Sequence, residues 1–155
     1  MGPTPMEAIQ QHVQIVGKPP LVPYWSLGFH LCRFGYETIG KAKEVIQRTL
    51  DNGIPLDTMW LDIDFQVDRT MFKLNHDLWP NFRQWIDDLK ARDVKFIPII
   101  DPGIDDGYSK EEYPYYDEGV REDVFIKHDD GSILKSKVWS KSYNAWVDFT
   151  SRKLI

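Results

Sequence analysis

Leu56-Asp57-Thr58-Met59-Trp60-Leu61-Asp62-Ile63-Asp64-Phe65 is an apolar run that closes on two carboxylates. Read as a strand, its alternation sets Met59, Leu61, Ile63 and Phe65 on one face and Trp60, Asp62 and Asp64 on the other. Side chains two apart on one strand face lie roughly 6.5–7 Å apart. One face therefore reads as packing, and the other ends in a pair of acids.

The flanking segments read as supports for this strand. Upstream, Tyr24 to Cys32 alternates Trp25, Leu27, Phe29 and Leu31 against Tyr24, Ser26, Gly28, His30 and Cys32, which predicts a strand. Thr38 then stands as the N-cap of a helix in which Ile39, Ala42, Val45, Ile46, Thr49 and Leu50 recur at helical spacing. Asn52-Gly53 supplies its stop. Downstream, Phe82, Trp85, Ile86 and Leu89 mark one side of a second helix from Asn81 to about Arg92. Asp93 stands where glycine would end it, and Asp tolerates the left-handed conformation. Val94 to Ile100 then reads as a third strand running into Asp101-Pro102, with Pro98 counting against a ladder position. Strands and helices in alternation imply parallel strands joined by right-handed crossovers. The acids fall at C-terminal strand ends, where such sheets hold ligands.

Outside this unit, residues 1–23 carry five prolines and a short helical stretch around Met6 to Val16. From Gly103 the alternation stops. Asp105-Asp106-Gly107 and Asp129-Asp130-Gly131 signal turns, Val124-Phe125-Ile126 with Ile133-Leu134 suggests a small hairpin, and Trp146 to Thr150 reads as a return to the sheet.

A chain of 155 residues suits one domain, and 42% apolar with 14% aromatic residues argues against disorder. The net charge of −5, with no clustered cations, argues against a nucleic-acid partner. Lys135, Lys137 and Lys141 read as a solvated face. Cys32 is the one cysteine, so no intrachain disulfide forms. No apolar run approaches the ~18 residues of a membrane span. The N-terminus lacks a signal-peptide pattern and no Asn-x-Ser/Thr sequon occurs, so the compartment stays unknown.

On spacing alone, Asp-x-Asp at a strand end admits several chemistries. It suits a divalent-cation site of a glycosyltransferase. A phosphatase of the haloacid dehalogenase type wants Thr or Val two places after the second Asp, and Val67 falls one place late. A sugar hydrolase uses strand-end carboxylates as acid, nucleophile or hydroxyl-binding groups. The bland alternative is a pair of solvated loop caps. His30 reads as a hydrogen-bonded core histidine, and His12, His76 and His128 lack partners at ligand spacing, so neither metal nor cofactor is expected. Trp139 suits either a sugar-stacking platform or loop packing.

A wider set of motifs narrows these alternatives. Gly2-Pro3-Thr4-Pro5, Gly17-Lys18-Pro19-Pro20, the run from Pro23 to Arg33, Gly53 to Asp57, Asp62-Ile63-Asp64-Phe65 and Ile99-Ile100-Asp101-Pro102 occur here in order. Their sequence and spacing resemble glycoside hydrolase family 31, in its animal α-glucosidase branch, closely to residue 102 and more loosely to residue 150. The resemblance implies an α/β fold, a partial TIM (β/α)8 barrel. Residues 1–23 would lead in, 24–102 would form the first three βα units, and 103–155 an inserted loop region leading toward a fourth strand that the sequence lacks. The chain is thus expected to be truncated.

The activity implied is retaining hydrolysis of terminal α-linked glucose, with an α-glucoside or maltooligosaccharide as the parent protein's substrate. By the resemblance, Asp62 binds glucose hydroxyls and Ile63 lies beside it. Phe34 (usually tyrosine), Ile99 and Trp139 line the same subsite, and Asp64 and Asp101 are supporting acids. The family's compartments are commonly lysosomal, secreted or membrane-anchored.

Three departures accompany the resemblance. Ser140-Lys141 follows Val138-Trp139 where Pro-Gly is usual. Gln66 to Met71 replaces a different family stretch. The Trp-x-Asp-Met-Asn-Glu nucleophile motif and the acid/base Asp are missing, and Trp146-Val147-Asp148-Phe149-Thr150 matches an earlier family segment, so no catalytic residue is assigned. A retaining glycosidase needs two carboxyl groups roughly 5–5.5 Å apart across the bond, and the resemblance gives Asp62 a binding role. The expectation is half a site, without turnover in the chain alone. The alternative is a non-catalytic homologue that binds sugar or a partner. The metal-dependent glycosyltransferase reading explains none of the wider similarity.

Overall fold

The computed structural model describes residues 2–151. Met1 of the leading segment and residues 152–155 of the expected insertion lie outside them. At the centre is a parallel sheet in the order β1 (His30–Leu31), β2 (Thr58–Leu61), β3 (Lys95–Pro98). Thr58 pairs with both His30 and Lys95, and Leu61 with Pro98. Pro98 is tolerated because it closes the last pair of an outer strand, and the next N–H, from Ile99, donates to the Leu61 carbonyl at 2.9 Å. The sheet has three strands and no closed barrel among the described residues.

Helix α1 (Pro5–Val16) precedes the sheet. Helices α2 (Ile39–Asp51) and α3 (Phe82–Ala91) join its strands. Thr38 caps α2 by accepting from the Lys41 N–H, and Gly53 takes a φ of 69° just beyond its end. Asp93, at φ 59°, turns the chain after α3 as glycine would. Met59 and Leu61 face these helices and are fully buried against Ala42, Ile46, Trp85 and Leu89. The expected packing face is therefore the face that packs. On the opposite face Trp60 donates its indole N–H to His30 Nδ1 at 2.9 Å, so His30 is a hydrogen-bonded, partly buried residue.

Two strand expectations are corrected. Tyr24 to Cys32 is not one strand: Tyr24–Leu27 forms a 3-10 turn and only His30–Leu31 pairs. The Asp57 carboxylate holds this turn by accepting from the Phe29 N–H at 3.0 Å, and a Cβ on Gly28 would lie 2.1 Å from that carboxylate. The opening stretch also stops being a strand at Leu61. Asp62 Oδ1 accepts from the Ile63 N–H at 2.7 Å and diverts the chain into a 3-10 turn over Ile63–Phe65. Short polar side chains compete with ladders in this way. Asp62 and Asp64 therefore do not share a strand face.

Beyond Gly103 the chain builds a second, antiparallel sheet of β4 (Gly103–Asp105), β5 (Lys135–Ser136) and β6 (Asn144–Trp146), with β6 central. Helix α4 (Tyr115–Arg121) lies between β4 and β5 in sequence. A separate small core gathers Ile104, Tyr113, Phe125 and Ala145. The expected hairpin is present, with Leu134 donating to the Ile126 carbonyl and Lys127 bridged to Ile133. The expected return of Trp146 to the parallel sheet is corrected. Gly103, Ile104 and Asp105 pair with Trp146, Ala145 and Asn144, so the segment completes the second sheet instead.

Candidate functional site

The C-terminal ends of the parallel strands open onto a cavity of about 470 Å³. That falls within the ~300–1,000 Å³ typical of small-molecule sites. Phe34 from the loop after β1, Asp62 and Ile63 from the turn after β2, Ile99 and Asp101 after β3, and Trp139 from the long excursion all line it. Six of the seven residues singled out in the sequence thus meet around one cavity. Asp64 stands outside that lining. Its Oδ2 accepts from the Glu37 N–H at 2.7 Å, and Glu37 holds a φ of 62° there, so Asp64 braces the loop that carries Phe34.

Each wall has a local cause. Asp62 is fixed because one of its oxygens is spent on its own turn. Asp101 is held through its backbone, whose N–H donates to the Met71 sulfur at 3.1 Å, while its Oδ2 is buried without a protein partner. A buried carboxylate oxygen lacking a donor favours a hydroxyl ligand that brings one. Phe34 and Trp139 are about half exposed and present aromatic surface, which suits the C–H faces of a sugar ring. Near the mouth, burial first and the Asp62 charge second push the Cys32 thiol up from its ordinary range, so it stays protonated beside the site.

Arg69 also lines the cavity and was missed in the sequence. Its guanidinium stands 5.5 Å over the Phe34 ring, a cation–π contact. Asp68 and Arg69 both adopt left-handed backbone, at φ 49° and 62°. Neither carries glycine's signature, so no residue pattern announces the turn that swings Arg69 inward. A second depression of about 400 Å³ lies between α2 and α3, walled by Lys43, Glu44, Gln47, Asp88 and Arg92. Ile46, Trp85 and Leu89 of the core also line it, and none of the strand-end cavity's residues does.

With this geometry in view, the chain's relatives become informative. The sequence model of the Glycosyl hydrolases family 31 TIM-barrel domain matches residues 19–154. The chain belongs to glycosyl hydrolase family 31. Alpha-glucosidase 2 of Bacillus thermoamyloliquefaciens is 37% identical over 153 residues, covering 99% of this chain and 19% of that protein. Lysosomal alpha-glucosidase of Rattus norvegicus is 37% identical over 97% of this chain and 16% of its own length. Among solved structures, a glucosidase II alpha subunit bound to alpha3-Glc2 superposes with a TM-score of 0.84 at 28% identity, covering 98% of this chain and 16% of that one. A Flavobacterium johnsoniae family 31 dextranase complexed with isomaltotriose superposes at 0.80 with 25% identity, covering 99% of this chain and 19% of that chain. The chain thus spans less than a fifth of these relatives.

Proposed function

We propose that this chain supplies part of a glucose-binding subsite of an α-glucosidase-type hydrolase, its parallel unit being the first three βα units of a (β/α)8 barrel. In this reading Asp62 accepts from glucose hydroxyls and Asp101 supports it. Ile63 and Ile99 form the apolar floor, and Phe34 and Trp139 flank the ring. The observation that carries the reading is the convergence of Phe34, Asp62, Ile63, Ile99, Asp101 and Trp139 on one cavity at the sheet's C-terminal end. The α-glucosidase names of the relatives support the sugar.

The chain alone binds and does not turn over, because the nucleophile motif is absent from its sequence and a retaining mechanism needs a second carboxyl group across the bond. Incubation of the purified 155-residue chain with maltose or a nitrophenyl α-glucoside tests this, and the expected result is no release of glucose or nitrophenol. Hydrolysis abolished by Asp62→Asn would overturn the binding-only assignment.

A further inference from the structure

Trp139 is the only cavity wall supplied from beyond Gly103 among the described residues, and it is 57% exposed, so packing alone does not aim it. We propose that Ser140 and Lys141 form a two-point clasp that positions Trp139 against the cavity, Ser140 fastening the loop inward to Asn144 and Lys141 fastening it outward to Asp68. The positioning role rests on the glucoside-binding reading only for its consequence, since the clasp itself is visible without a ligand.

The inner point is buried. Ser140 Oγ accepts from Asn144 Nδ2 at 2.7 Å and donates to the Ser142 carbonyl at 3.3 Å, and Asn144 lies in the central strand of the second sheet. Gly107 lets that turn close on the loop, because a Cβ there would sit 1.8 Å from Ser142 Oγ. The outer point is an ion pair between the Lys141 ammonium and the Asp68 carboxylate. Asp68 also accepts from the Tyr108 hydroxyl at 3.3 Å, and that hydroxyl in turn accepts from Thr70 at 3.4 Å. Lysines 135 and 137 are exposed, as expected of a solvated face, and have separate partners, Asp106 and the Tyr143 ring.

The outer point reaches both sides of the cavity. Asp68 is followed directly by Arg69, whose guanidinium lies over Phe34. The backbone that carries Trp139 is therefore tied, through the Lys141–Asp68 ion pair and the peptide bond from Asp68 to Arg69, to the Arg69–Phe34 contact. Two successive left-handed non-glycine residues persist only where their surroundings hold them. Lys141, Tyr108 and Thr70 are those surroundings. The two stretches joined here, Ser140-Lys141 and Gln66 to Met71, are both places where the sequence departs from the pattern of the family it resembles. An exposed ion pair contributes little to overall stability and is screened by salt. Its effect is accordingly local, on the population of the loop that carries Trp139.

The test uses the full 155-residue chain, labelled with 15N, with the Trp139 indole signal assigned from Trp139→Phe. Lys141→Ala and Asp68→Ala should each shift that signal, leave the thermal midpoint unchanged and weaken maltose binding by up to about five-fold. The reversed pair, Asp68→Lys with Lys141→Asp, should restore both signal and affinity. An indole signal unmoved by either single substitution would overturn the clasp. Should the unaltered chain bind no maltose, the glucoside-binding reading fails, and the indole signal still decides the clasp.

Discussion

At the scale of single residues, the site is governed by what each carboxylate does with its two oxygens. Asp62 spends one on the Ile63 N–H, which ends the strand, and in the proposed function the other accepts from glucose. Asp62→Ala should weaken glucose binding at least ten-fold in a titration, since hydrogen bonds to charged groups contribute about 1.5–3 kcal/mol. Asp57 accepts from the Phe29 N–H and leaves no room for a Cβ on Gly28. Gly28→Ala should therefore destabilise the chain by about 1–3 kcal/mol in urea unfolding, the range for overpacking. Lys141 first, and Tyr108 with it, hold the Asp68 carboxyl below its ordinary range. A lowered folded value means that the Lys141–Asp68 contact is complete above the ordinary carboxyl range and is lost as pH falls through the lowered value. The Trp139 indole signal should accordingly stay constant from neutral pH through about 4 and move only below it. Asp62, Phe34 and Trp139 were legible because they sit in recognisable motifs. Arg69 was not, because its direction comes from a backbone turn that Asp68 and Arg69 enter without glycine.

At the scale of elements, helices were more legible than strands. The α2 helix was readable from its cap, its apolar repeat and its Asn-Gly stop, three local signals that agree. The strand expectation at Tyr24 to Cys32 failed because alternation records side-chain chemistry only, while the Asp57 carboxylate fixes the backbone path from across the sheet. Helix α4 lacks an apolar repeat, and its Gly119 is there for close approach, since a Cβ would lie 2.3 Å from the Phe125 ring. Helix α1 has a capping box between Thr4 and Glu7 yet contributes no buried residue. Thr4→Ala should therefore reduce helical circular dichroism slightly and leave the midpoint of global unfolding almost unchanged. An exposed cap acts on its own helix. In the second core, burial pushes the Tyr113 phenol well above its ordinary range. With the folded value raised, the folded chain keeps a proton that the unfolded chain releases. Stability is full below the ordinary tyrosine value near 10 and falls as pH rises past it. Alkaline unfolding monitored by circular dichroism should begin there, and Tyr113→Phe should delay it.

At the scale of the whole molecule, the chain has two cores, one behind each sheet. The larger one, centred on Met59, Trp79 and Trp85, backs the parallel strands, and the smaller one backs the sheet to which Ser140 ties the loop of Trp139 through Asn144. Trp79 is fully buried, with the Trp85 ring 5.8 Å away. Trp79→Ala should cost about 3–5 kcal/mol, enough to unfold the parallel unit in a chemical-denaturation experiment. Family membership was legible from motif order, whereas the antiparallel sheet was not, because its β4–β6 pairing joins residues about forty apart that carry no shared pattern. In the proposed function, the cavity at the parallel strand ends holds a glucose unit. Titration of the 15N-labelled chain with maltose tests it most directly. The predicted result is saturable shifts at Asp62, Ile63, Ile99 and the Trp139 indole, lost in Asp62→Ala. Shifts confined to the depression between α2 and α3, or binding indifferent to Asp62, would contradict it.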